Sequence, residues 1–183
     1  MKIEINERVY ATVEQDEYAE APDWYESVKI AYRKSSRYVL GNYGVTVSEM
    51  QDIEENINSG KLVGLPVYAY VHSGVALSIH PFECPWDSAQ SGFVFADPKR
   101  MAEEFGEDFD FKEILESAVK GLNTYLQGDV YAITINVDGE DVECVGGFYG
   151  LDYAKQEAKE LAEIHVKTLE RKVQVHRRSW CTT

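Results

Sequence analysis

The chain of 183 residues carries 18 Lys and Arg against 32 Asp and Glu, a net charge of −14, with 44% apolar and 12% aromatic residues. That length and apolar share suit one globular domain with its own core and exclude a disordered chain. The charge excludes a phosphate-binding role, because direct nucleic-acid binding needs a basic face that displaces counterions.

Residues 2–13, KIEINERVYATV, alternate imperfectly and read as a strand broken near Asn6. An acidic linker, EQDEYAEAPD, leads to a helix expected to open near Pro22–Trp24, where Trp24, Val28, Ala31, Tyr32 and Val39 recur at helical spacing toward a stop at Gly41. Thr46 with Glu49 matches a capping box and starts a polar helix through Asn58, closed by Ser59-Gly60. LPVYAYV (65–71), VALSI (75–79) and GFVFA (92–96) read as strands, the first two joined at Ser73-Gly74. Asp97-Pro98 opens a helix to Phe105, and Asp110 opens a second with the apolar stripe Phe111, Ile114, Leu115, Ala118, Val119 and Leu122, stopped by Gly128. Asp138-Gly139 joins two further strands as a hairpin, and a last helix from Asp152 carries Ala154, Ala158, Leu161, Ala162, His165 and Leu169 on one face.

This order predicts an α+β single domain, with an antiparallel or mixed sheet and helices packed mainly on one face. Within it lie an N-terminal strand-helix-helix region (1–62), a core (65–153) and a C-terminal helix (151–178). Three cysteines, Cys84, Cys144 and Cys181, without framework spacing, argue against a disulfide scaffold. No apolar run reaches the ~18 residues of a membrane span. With no apolar stretch in MKIEINERVY, the expected setting is soluble and cytoplasmic, in a reducing environment.

The densest chemistry lies in 72–92, HSGVALSIHPFECPWDSAQSG, where eleven residues from Pro81 to Ser91 link two apolar strands. In an enzyme reading Cys84 is the nucleophile, His72 or His80 its base and Asp87 the orienting group, although no known local signature surrounds them. Otherwise Cys84 is a small buried hydrophobe, Trp86 plugs the core, and Asp87 and Ser88 bond their own loop. Either His80-Pro81 or Cys84-Pro85 has the option of a cis bond. A zinc reading rests on His72, His80, Cys84 and Cys144, of which only His80 and Cys84 form a near pair, so no metal and no cofactor is expected. The GGFYG stretch lacks the Lys-Ser/Thr of a phosphate loop. His165, inside an apolar stripe, reads as a hydrogen-bonded boundary histidine.

Charge is uneven. Residues 4–26 hold eight acids, Glu14, Asp16 and Glu17 among them, against Lys2 and Arg8. Glu103, Glu104, Glu107 and Asp108 belong to a second group, while the stretch from Lys167 to Arg178 is basic. Spaced carboxylates of this kind suit a basic groove, as a nucleic-acid mimic does; the plain alternative is a solubilising exterior.

His72, Ser73, Gly74, Ser78, Pro81, Phe82, Cys84, Trp86, Asp87, Ser88, Gln90 and Gly92, with the later Tyr125, Leu126, Gly128, Asp129, Tyr131 and Gly147-Phe148-Tyr149-Gly150, resemble a family of small, largely uncharacterised proteins of bacteriophages and conjugative elements. Where similar proteins carry a Ser-Cys-Trp run, this chain has Glu143-Cys144-Val145. The resemblance implies an accessory protein that binds a host protein, such as an inhibitor of a defence nuclease of the anti-CRISPR or anti-restriction type. Its partner surface would comprise Glu14, Asp16, Glu17, Glu103, Glu104, Glu107 and Asp108, with Trp86 and Asp87. A small hydrolase using the 72–92 loop and an oligomeric interaction domain, including a homodimer, remain open alternatives.

Overall fold

The structure is a computed structural model that describes residues 1–180 apart from Trp24, Pro85 and Glu107, with side chains described through Arg171. Contacts group the chain into two compact units, Met1–Glu20 with the chain from Gly128 onward, and Ala21–Gln127. The α+β class holds, and the pairing is antiparallel in one sheet and mixed in the other. The strands divide between two sheets where the sequence suggested one.

In the first unit, β1 (Lys2–Glu4) and β2 (Val9–Gln15) form a hairpin, and β8 (Val130–Val137) and β9 (Glu140–Tyr149) another, in the order β1-β2-β8-β9. The break near Asn6 is real: its side-chain oxygen accepts the N–H groups of Arg8 and Val9 and turns the chain. Asp138 and Gly139 both take positive φ, 56° and 93°, as the two-residue turn requires. The buried Asn136 completes that turn, accepting from Gly139 N–H and donating to Asp141. α4 (Leu151–Trp180) lays Ala154, Ala158 and Ala162 on Val9, Ala11, Val13, Ile133 and Ile135. Alanine every fourth residue lets the helix backbone approach the sheet closely.

The second unit is built on β4-β3-β7-β5-β6, where β4 (Tyr43–Val45) runs parallel to β3 (Val28–Arg33) and all other pairs are antiparallel. β5 (Val63–Val71), β6 (Val75–Ser78) and β7 (Ser88–Ala96) are the three strands expected in the middle of the chain. Thr46 and Glu49 form the anticipated capping box of α1 (Val47–Asn58). Asp97 caps α2 (Pro98–Phe105), and Asp110 caps α3 (Phe111–Leu126). α3 and Met101 of α2 cover one sheet face, burying Val28, Ile30, Val67, Ala69, Val94 and Ala96. α1 covers the other over Ala31, Val45 and Phe93, so in this unit helices lie on both faces. Each fully buried side chain such as Met101, Leu115 or Val94 contributes about 2 kcal/mol.

The helix expected from Trp24 to Val39 is not formed: Trp24 lies outside the described residues, residues 28–33 are strand β3, and turns follow. Because β3 is buried on both faces, Val28 and Ile30 on one and Ala31 on the other, it lacks clean alternation and its spacing imitates a helix. The segment containing Gly41 returns alongside, and Asn42 accepts the Ile30 N–H at 2.8 Å. The long loop is also shorter than expected, because β7 begins at Ser88 and not at Gly92. An irregularity at Val67/Tyr68 lets β5 pair with that early segment.

Among the described residues no helix is long and apolar enough to cross a membrane. Gly92 marks where β3 and β7 come closest, since a Cβ there would overlap the Ala31 carbonyl oxygen. Gly92→Ala is therefore expected to cost about 2 kcal/mol in denaturant unfolding, with the m-value unchanged.

Candidate functional site

The loop 79–87 leaves the sheet at β6 and re-enters at β7. Ile79 anchors its start in the core, at 8% exposure. At its end, Val71 N–H donates to the Asp87 carbonyl at 2.9 Å, and the Ser88 hydroxyl donates to the Cys84 carbonyl at 2.5 Å. The His80-Pro81 bond is trans, whereas Pro85 lies outside the described residues.

Three of the four side chains of the enzyme reading converge. Cys84 Sγ lies 3.7 Å from Asp87 Oδ2, and His72 Nδ1 lies 3.6 Å from the same oxygen. His80 is exposed and apart from these contacts, its backbone N–H held by Ser78 Oγ at 2.9 Å. The order of the three differs from the expected one. A nucleophile relay places the histidine between thiol and carboxylate; here the carboxylate stands between thiol and imidazole. Asp87 therefore links the loop to His72 just past the end of β5, and the thiol donates to it.

Trp86 does not plug the core: it is 93% exposed. The Asp87 carbonyl next to it accepts from Val71 N–H and the Cys84 carbonyl accepts from the Ser88 hydroxyl, while the indole itself stands in water. Cys84 is half-buried, and Cys144 is exposed on β9 with Thr134 Oγ1 3.5 Å from its sulfur. Among the described residues, no three His, Cys, Asp or Glu side chains gather as metal ligands do. His165 is the boundary histidine its position suggested, its Nε2 2.7 Å from Glu143 Oε2.

Sequence reasoning did not single out Tyr70 and Glu83, and it named Phe82 only among the residues of the resemblance. Tyr70 on β5 alternates with Val67 and Ala69, which face the α3 core, so it projects from the opposite face, and His72 follows one residue past the strand's end. Phe82 packs on Tyr70 with ring centroids 5.7 Å apart, and His72 stands 6.4 Å beyond. Glu83 is exposed. The signal was present in the period-two spacing of Tyr68, Tyr70 and His72.

The acidic residues separate into two kinds. Asp16 accepts the N–H groups of Tyr18 and Gly147 through its two oxygens. Glu104 accepts those of Glu26 at 3.1 Å and Ser27 at 2.9 Å, fastening α2 to the entrance of β3. By contrast Glu14, Glu17, Glu103 and Asp108 are exposed, and their carboxylates have no hydrogen bond or ion pair with the described residues. Glu107 lies outside them.

Partial burial pushes the Glu104 carboxyl up, but the Ser27 hydroxyl and the two backbone N–H groups outweigh it and hold the group below its ordinary 4.5. A depressed carboxyl stabilises the fold fully above the unfolded-state value and loses that contribution as pH falls through the folded-state value. Glu104→Gln should cost about 1 kcal/mol at neutral pH, a low figure because the carboxylate is largely solvated. Urea unfolding at a series of pH values should show the gap between variant and wild type closing as pH falls below 4.5.

Comparison with protein-family models, with curated proteins and with solved structures yields no match, so the site is read from its own geometry.

Proposed function

We propose that this chain acts by binding a basic protein surface, as an accessory protein of a phage or mobile element inside a bacterial host, and that its target is a nuclease whose groove otherwise holds nucleic acid. The supporting observation is the set Glu14, Glu17, Glu103 and Asp108, carboxylates that face water without a partner among the described residues. Carboxylates that cap helices or bond backbone are needed by the fold; these four are available to lysine and arginine rows of a partner. Such contacts speed encounter and weaken as salt rises, because exposed charges are screened beyond about 8 Å at physiological ionic strength. The resemblance to mobile-element proteins at the proline-tryptophan stretch supports the same reading.

A second reading, a small hydrolase, is favoured by the convergence of Cys84 and His72 on one Asp87 oxygen. It requires His72 to move from the carboxylate to the thiol when substrate binds. Iodoacetamide separates the two: a catalytic Cys84 would be alkylated in the folded protein and lose reactivity in His72→Ala.

Expression in bacteria that carry a restriction or an RNA-guided nuclease should raise plating of a targeted phage at least about tenfold, the scale of one lost 1.4 kcal/mol contact. The variant E14Q/E17Q/E103Q/D108N should lose that protection while remaining folded. Protection retained by the neutral variant contradicts charge mimicry, and no protection against type I, type II or RNA-guided systems contradicts the inhibitor reading.

A further inference from the structure

We infer that the cleft where α1 meets β3 and β7 binds a free α-amino acid with an apolar side chain; this goes beyond the binding reading above and shares no residue with it. The cleft holds about 250 Å³. That is below the roughly 300–1,000 Å³ of pockets for drug-sized ligands, so it suits a small metabolite. Three elements line it. α1 contributes Val47, Met50, Gln51 and Glu54, whose spacing i, i+3, i+4, i+7 sets them on one helix face. β7 contributes the stretch from Gln90 to Phe93, and Arg33 lines the cleft from the last position of β3. The floor is apolar. Met50 and Phe93 are buried, and the Met50 methyl lies 3.3 Å from where a Cβ on Gly92 would stand. Val47, by contrast, is an apolar side chain left 58% exposed.

Charge selects the occupant. Two polar groups of the lining are already engaged: the Ser91 hydroxyl donates to the Val67 carbonyl at 3.1 Å, and Gln90 Nε2 reaches the Gly92 carbonyl at 3.5 Å. The side chains of Arg33, Gln51 and Glu54 are exposed and have no hydrogen bond or ion pair with the described residues. A cation and an anion therefore line one small cleft without pairing with each other. A ligand with only a carboxylate meets repulsion from Glu54 and from the chain's net charge of −14, and one with only an ammonium meets repulsion from Arg33. A zwitterion answers both charges. Its carboxylate accepts two N–H bonds from the planar Arg33 fork, and its ammonium donates to the Glu54 carboxylate and the Gln51 carbonyl. Its apolar side chain leaves water on Val47, Met50 and Phe93. The terminus of a protein carries only one of the two charges at its last residue, so the free amino acid is the better occupant.

The full chain, isotope-labelled at the methionine methyls, is titrated with L-valine, L-leucine and L-phenylalanine, following the Met50 resonance assigned by its loss in M50L. At least one of the three should shift and saturate that signal with a Kd of about 1 mM or tighter. The Met101 methyl, buried beneath the other sheet face, should stay in place and report that the fold is intact. For the amino acid that binds, its carboxamide and its deaminated acid each lack one charge and should bind about tenfold more weakly. R33Q and E54Q should each weaken binding about tenfold, whereas E116Q, exposed on α3, leaves it unchanged. Both cleft variants remove an exposed side chain with no described partner, so the Met101 signal should be the same in them as in wild type. Failure of all three amino acids to saturate the Met50 signal overturns the site. So does equal affinity for either singly charged analogue, or unchanged affinity in R33Q or in E54Q.

Discussion

An excess of negative charge that no core can accept is the constraint on which this protein is built. Every aspartate and glutamate with a described side chain stays out of the three buried clusters, and the buried polar side chains among the described residues are Ser27 and Asn136. Moving a carboxylate into such a core without a partner would cost several kcal/mol, so all of them are carried at the surface. Some are then used by the backbone. Asp97 and Asp110 cap helices, Glu49 closes a capping box, Asp16 holds Gly147, and Glu104 holds the chain entering β3. Lysine and arginine neutralise few of the rest: the three bridges among the described residues, Lys2–Glu4, Arg8–Asp138 and Lys155–Asp152, are solvated and worth little. The remaining carboxylates add repulsion without a bond to the described fold, and the proposed binding role gives them a use.

The loop at 79–87 obeys the same division between structural and available groups. Its ends are fixed by Val71, Asp87 and Ser88 to strands that α3 buries. The irregularity at Val67/Tyr68 extends the β5–β7 ladder to Ser88, so the loop re-enters the sheet on a paired interior strand and not through a slack connection. Fastening both ends of a short segment that contains a large indole leaves the indole no path into the core, which α3 already fills. Exposure of Trp86 is thus a product of where the hydrogen bonds lie.

Much of this was legible in the sequence where local chemistry decides the outcome. Thr46 with Glu49, Asp97-Pro98, Asp138-Gly139 and the stripe of α3 each act through neighbours a few residues away, and each forms as expected. Elements set by distant contacts were not legible. β3 reads as a helix because tertiary burial on two faces erases its alternation, and β4, three residues long, has no period of its own. Which strands share a sheet depends on pairings such as β2 with β8, more than a hundred residues apart. At the candidate site the residue types were visible, but the order Cys84–Asp87–His72 and the outward Trp86 follow from the ladder between β5 and β7, which no spacing rule encodes.

The central claim is that Glu14, Glu17, Glu103 and Asp108 are kept for binding at some cost to folding, unlike the carboxylates that bond backbone. Thermal unfolding of wild type and of E14Q/E17Q/E103Q/D108N at low and at high sodium chloride tests it without a partner in hand. The account predicts that the neutral variant melts a few degrees above wild type, about 3 °C per kcal/mol relieved, and that salt narrows the gap by screening the repulsion. A neutral variant that melts below wild type at low salt would contradict it, because the four carboxylates would then be holding the fold together.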